Sequence, residues 1–139
     1  MSDEPTAPYP LAQMRESVRG TLVERMGIEL VEVTPERVVA TMPVEGNTQP
    51  YGLLHGGASC ALAETVGSVA ASLQAPDRLA VGIEINASHH RATRAGLVTG
   101  TATPVHVGRS VAVFEVVVTD ARDRRICTAR LTCMLVDRV

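Results

Sequence analysis

Between Glu45 and Asp77 the chain carries a single formally charged residue, Glu64. The stretch around it, "GLLHGGASCALAETVGSVAASLQ", is built almost wholly from small and apolar residues. From about Gly57 to Leu73 it reads as a helix, ended by "QAPD". A helix that is apolar on most sides must be buried on most sides. Gly57, Ala58, Ser59, Ala61, Ala63, Gly67, Ala70 and Ala71 also keep it thin, so a curved sheet can wrap closely around it. Whatever else the chain forms has to enclose this rod.

The remainder supplies strands to do so. "GIELVEVTPERVVATMPV" holds two apolar runs flanking the turn-like "TPER", the pattern of a β-hairpin. Residues 44–56 form a loop rich in Gly, Asn, Pro and Gln. After the helix come four strand-like runs, roughly 79–91, 97–106, 110–119 and 125–136, broken by "TRAG", "HVGRS" and "DARDRR". Six strands joined mostly by short turns predict an α+β fold, an antiparallel sheet covered by one long helix. Leu11, Met14, Val18 and Leu22 recur at helical spacing ahead of them, with Gly20 and Gly27 as stops. The 139 residues suit one domain, expected over 10–139 behind a disordered tail at 1–9.

Apolar residues make up 45% and charged residues 20%, but aromatic residues only 2%, so the core must be packed with Val, Ile, Leu, Ala and Met. The start, "MSDEPTAPYP", is acidic and lacks the apolar stretch of a secretion signal. No apolar run approaches a membrane span. The expected place is therefore the cytoplasm, away from membranes. Cys60, Cys127 and Cys133 are an odd set without metal-like spacing, expected to be buried thiols in a reducing compartment. No metal is called for. All 13 basic residues are Arg, and nine of them fall after residue 69. Arginine's planar fork suits phosphate, although a solvated surface would give the same count. The lack of a basic cluster and of stacking aromatics argues against nucleic acid.

A carboxylate in such a helix is costly unless it is paired, hydrogen-bonded or neutral. Glu64 could face solvent at an edge, satisfy a structural partner or line a site. Its neighbours bear on the choice. His55-Gly56-Gly57 opens the helix, where the first N–H groups lack internal acceptors and glycine permits close approach. That arrangement can hold a carbonyl oxygen as it becomes negative. Gly57 and Glu64 are about 10 Å apart along a helix axis, so one helix cannot readily aim both at one carbonyl. Two antiparallel copies could, which predicts a site between subunits and at least a dimer. Ser68 lies one turn beyond Glu64 on the same face. In "AVGIEINASHHR", strand parity puts Val81, Ile83, Ile85 and Ala87 on one inward face; His89 continues it and His90 points away, unless a bulge intervenes.

"NTQPYGLLHGGASCALAETVGSVA" resembles the signature of the hotdog-fold acyl-CoA thioesterases, and "VGIEINASHHR" and "HVGRS" extend the likeness over nearly the whole chain. It is nearest the subgroup of the 1,4-dihydroxy-2-naphthoyl-CoA, enterobactin-proofreading, phenylacetate-pathway and Arthrobacter-type 4-hydroxybenzoyl-CoA thioesterases. The resemblance implies a six-stranded antiparallel sheet wrapped around the long helix, and dimers that pair into tetramers with the site at the dimer interface. It implies that Glu64 is the nucleophile or general base, and that Gly56 of the opposite subunit donates its N–H to the thioester oxygen. Gln49 and His55 match positions that orient the thioester or the carboxylate, and Ser68 one that assists the attacking water. His89 matches a position near the acyl group, whereas His90 stands where the family usually has an apolar residue. Coenzyme A would lie along Gly82, His89, His90, Arg91 and Ala92, and along His106, Val107, Gly108, Arg109, Ser110 and Val111, with Arg91 and Arg109 as phosphate partners. No cofactor beyond the CoA thioester substrate is implied.

The expected activity is hydrolysis of an acyl- or aroyl-CoA to acid and CoA. Rival expectations are the same hydrolysis of groups misloaded on an acyl-carrier protein, a non-catalytic acyl-CoA-binding module, and a dehydratase or hydratase. The last needs a different His/Asp arrangement, which the sequence lacks.

Overall fold

A computed structural model describes residues 11–138. The tail expected to be disordered, 1–9, lies outside them. Two short helices, α1 (Leu11–Ser17) and α2 (Leu22–Arg25), lead into the hairpin β1 (Glu29–Thr34) and β2 (Arg37–Pro43). Gly20 and Gly27, at φ 75° and 71°, end the two helices in the left-handed region that favours glycine. The long helix α3 spans Gly56–Gln74, and β3 (Arg78–His89), β4 (Leu97–Val107), β5 (Val111–Thr119) and β6 (Arg125–Asp137) follow.

All six strands form one antiparallel sheet in the order β1-β2-β4-β5-β6-β3. The strands on either side of α3 in the chain, β2 and β3, are thus separated by three others, and α3 crosses the sheet's concave face in contact with every strand. Ala58, Ser59, Leu62, Ala63, Val66, Gly67, Ala70, Ala71 and Leu73 of α3 are buried. Phe114, Met42, Leu62 and Leu131 are the largest side chains fully removed from solvent. The thinness of the helix matters at Gly67, where an added Cβ would stand 2.5 Å from Leu131 Cδ2 and 3.2 Å from Leu131 Cβ. β3 ends the strand order, so among the described residues one of its sides has no neighbouring strand.

Two expectations need correction. Val81 and Ile83 do not share the inward face with Ile85 and Ala87; they are 45% and 54% exposed. A β-bulge between Gly82 and Glu84 shifts the β3–β6 register, so Ala80 and Gly82 face α3 before it and Ile85 and Ala87 after it. Of the three free thiols, Cys127 and Cys133 are buried as expected, but Cys60 is only half-buried on α3. Burial, and secondarily the nearby Cys60, push the Cys127 thiol up to about 11.

Candidate active site

The loop before α3 is held by Asn47, a polar residue whose role has no signal in the sequence. Asn47 Nδ2 donates to the carbonyls of Met26 and Pro43, both at 2.8 Å. The Asn47 carbonyl in turn accepts from His55 N–H at 2.9 Å, and Leu54 N–H donates to Thr93 O at 2.8 Å. Within the loop the Gln49 side-chain oxygen accepts from Tyr51 N–H. His55 is the N-cap of α3: its Nδ1 accepts from Gly57 N–H at 2.8 Å, which fixes the imidazole and consumes one amide that a substrate could otherwise use. Ala58 and Ser59 N–H both turn back to His55 O. Among the described residues, Gly56 N–H has no acceptor.

Gly56 lines a cavity of about 350 Å³ together with Gln49, Ser59, His89, His90, Arg91 and Ala92, and with Leu53, Leu54, Thr93 and Ile126. Six residues singled out from the sequence therefore meet in one place. The His89 ring lies against Gly56: a Cβ there would stand 2.9 Å from His89 Nε2. His90 turns the other way, its Nε2 2.9 Å from Thr128 Oγ1, as parity predicts. Ser59, Thr93 and Ile126 gave no signal in the sequence, because a buried helix serine, a loop threonine and an apolar residue at a strand start are ordinary there.

Glu64 does not reach this cavity. It lies eight residues, about 12 Å, further along α3, where its carboxylate rests on the backbone of Gly82 in β3. An added Cβ at Gly82 would overlap Glu64 Oε1 and come within 3.2 Å of Cδ. Cys133 pairs with Gly82 across the β3–β6 ladder and completes the surroundings. Burial raises the Cys133 thiol pKa, the Glu64 charge raises it further, and neighbouring Ser68 pulls it back. Burial also raises the Glu64 carboxyl above its ordinary value of 4.5. Glu64 and Ser68 are together, as helical spacing requires. Cys133 as their companion could not be found without knowing which β6 residue opposes Gly82.

The bulge lets these two places share a strand. Gly82 and His89 are an odd number of residues apart, so a regular strand would point them to opposite faces. The extra residue between Gly82 and Glu84 restores the match, so Gly82 lies under Glu64 and His89 lies under Gly56 on the same concave side.

The remaining candidates occupy the β4–β5 turn at the Gly82 end of the sheet. Gly108 N–H donates to Val111 O at 2.8 Å, and Ser110 O accepts from Leu135 N–H at 2.9 Å. Arg78 Nη1 donates to Arg109 O at 2.5 Å. The His106 ring folds over Gly108, its Nε2 3.0 Å from where a Cβ would be, and Val107 is the last residue of β4. Among the described residues, neither Arg91 nor Arg109 forms an ion pair. The chain thus sorts the candidates into two groups at opposite ends of β3. Gln49, His55, Gly56 and His89–Ala92 form one; Glu64, Ser68, Gly82 and His106–Val111 form the other.

Comparison with known proteins accords with this frame. Residues 51–127 match the thioesterase superfamily. The proofreading thioesterase EntH of Cronobacter turicensis is 52% identical over 115 residues, covering 81% of this chain and 84% of that protein. A thioesterase of Haemophilus influenzae superposes with a TM-score of 0.90 at 37% identity, over 93% of this chain and 92% of that one. A variant of a Pseudomonas aeruginosa thioesterase gives 0.87, also at 37% identity, over 91% and 94%. With a six-stranded sheet wrapped around one long helix, the chain belongs to the thioesterase superfamily and is a hotdog-fold thiolester hydrolase.

Proposed function

We propose that the enzyme hydrolyses an acyl- or aroyl-CoA thioester at a site shared by two copies of the chain. Glu64 of one copy attacks the thioester carbonyl or deprotonates the attacking water, and Gly56 of the other donates its N–H to the oxygen as it becomes negative. The thiolate of CoA leaves. The observation that carries this reading is the separation of the free Gly56 amide from Glu64 by about 12 Å along one helix, with each beside its own half of the substrate-binding candidates.

The open side of β3 supports a way to join the halves. If β3 pairs antiparallel with its own copy about a twofold axis near Ile85 and Asn86, Gly82 of one chain comes opposite His89 of the other. Glu64 then faces the cavity that holds Gly56 and Gln49. Ser68 stands where it can hydrogen-bond the water, and His89 where it can contact the acyl group. The raised carboxyl of Glu64 suits the task, because a more basic carboxylate is a better proton acceptor. Arg91 of one chain and Arg109 of the other are free to meet the CoA phosphates. The reading extends to a cytoplasmic tetramer built as a dimer of dimers.

Release of free thiol from benzoyl-CoA and from aliphatic CoA esters tests the reading. Glu64→Gln is expected to lose turnover while keeping the fold and assembly of the parent; retained turnover would refute it. One relative favours a second reading: the 52% identical protein is named a proofreading thioesterase, which fits removal of a wrong acyl group from a carrier protein. Turnover of one acyl group on CoA and on carrier protein separates the two.

A further inference from the structure

At Gly82 the Glu64 carboxylate meets the sheet without a side chain in between. A Cβ at that position would overlap Oε1 and stand 3.2 Å from Cδ and 3.6 Å from Oε2. The bulge beginning at Gly82 turns this bare Cα toward α3 while leaving Val81 and Ile83 outside. On the neighbouring strand Cys133, fully buried and paired with Gly82 in the ladder, stands beside the same carboxylate. We propose that Gly82 is a positioning residue for the reaction: its missing side chain is the seat that holds the Glu64 carboxylate in its working place, in addition to any contact it makes with CoA. This inference rests on the hydrolytic role given to Glu64 above.

The contrast with Gly67 sharpens the claim. At Gly67 a new Cβ would strike Leu131, a core side chain that is itself fully buried, so the fold must absorb the collision. At Gly82 the atom struck is the tip of a flexible, half-buried side chain. Glu64 can swing aside at small cost to the fold, but a carboxylate displaced by about 1 Å can lose on the order of 100-fold in rate. Gly82→Ala should therefore separate catalysis from stability.

The experiment is steady-state thiol release, with thermal melting and sizing, on the parent, Gly82→Ala, Glu64→Asp and the double variant. Gly82→Ala is expected to lower kcat about 100-fold with KM within about threefold, while the melting temperature and assembly stay those of the parent. Asp is one methylene shorter and withdraws from position 82, so adding Gly82→Ala to Glu64→Asp should cost little further activity. Four results overturn the proposal: an unchanged kcat; a rise in KM alone, which would mark a plain CoA contact; loss of the folded assembly; or the same fold-loss in the Glu64→Asp background as in the parent. Should Glu64→Gln prove fully active, the hydrolytic reading itself falls, and that result is independent of anything measured at position 82.

Discussion

A site divided between two chains can be reassembled from two broken ones. In Glu64→Gln the acid is lost but the Gly56 amide remains. In Gly56→Ala the acid remains, but the new methyl enters the space between the helix start and His89, 2.9 Å from Nε2, and blocks the free amide. Each variant alone is expected to fall by at least two orders of magnitude, the scale for removing one oxyanion donor or a general base. Equal amounts, co-expressed or unfolded and refolded together, pair at random, and half of the dimers are hybrids. Each hybrid has one site with both lesions and one with none, so the mixture should recover about a quarter of the parent rate. The assay is thiol release before and after mixing, with differently tagged chains to verify that hybrids form. If both groups acted within a single chain, the hybrids would contain no intact site. A verified hybrid population without recovered activity would therefore refute the shared site.

Other consequences can be measured directly. Because burial raises the Glu64 carboxyl above 4.5, the folded state favours its protonated form, and the stability tied to it is lost as pH rises through the folded value. Glu64→Gln should thus melt higher than the parent at pH 8, with the advantage fading as pH falls toward 4.5, and the acid limb of kcat/KM in the parent should lie above the usual carboxylate range. In the β5–β6 turn, Asp120 accepts from the backbone N–H of Arg124 at 2.9 Å and of Arg122 at 3.0 Å, and from Arg124 Nε at 2.9 Å. The Arg124 amide leads in holding its carboxyl below 3.8, so its contribution is present at neutral pH and lost on acidification through the folded value. Asp120→Asn should lower the melting temperature at pH 7, and the gap should close in strong acid. Gly67→Ala adds a methyl against Leu131; overpacking costs about 1–3 kcal/mol against about 1 kcal/mol gained in helix preference. Melting should fall by a few degrees, and Leu131→Val should cost less in that background than alone.

The two periods, 3.6 and 2, made the elements readable. Helix α3 was expected over 57–73 and spans 56–74, and the four later strands fall within a few residues of their expected places, because each boundary carries its own turn chemistry. The hairpin at "TPER" and the helical stops at Gly20 and Gly27 are equally local. What failed was non-local. Nothing in "AVGIEINASHH" reveals the bulge, since the shift arises only where β3 is laid against β6; without it, Val81 and Ile83 were assigned the wrong face. Asn47 looked like one more loop residue until its partners, 21 and 4 residues away, were in place. The family likeness named Gln49, His55 and Gly56, but only the folded chain distinguishes the amide spent on the His55 cap from the one left open at Gly56.

The unpaired flank of β3 has a meaning beyond geometry. A bare strand edge bearing Leu79, Val81 and Ile83 invites indiscriminate sticking between molecules. Under the self-pairing proposed above, the row of amides that is hazardous when naked becomes the seam on which two half-sites meet. Evolution could then not blunt that margin with lysine or proline to protect a solitary chain without also dismantling the enzyme. Solubility and turnover would be bound to the same twelve residues.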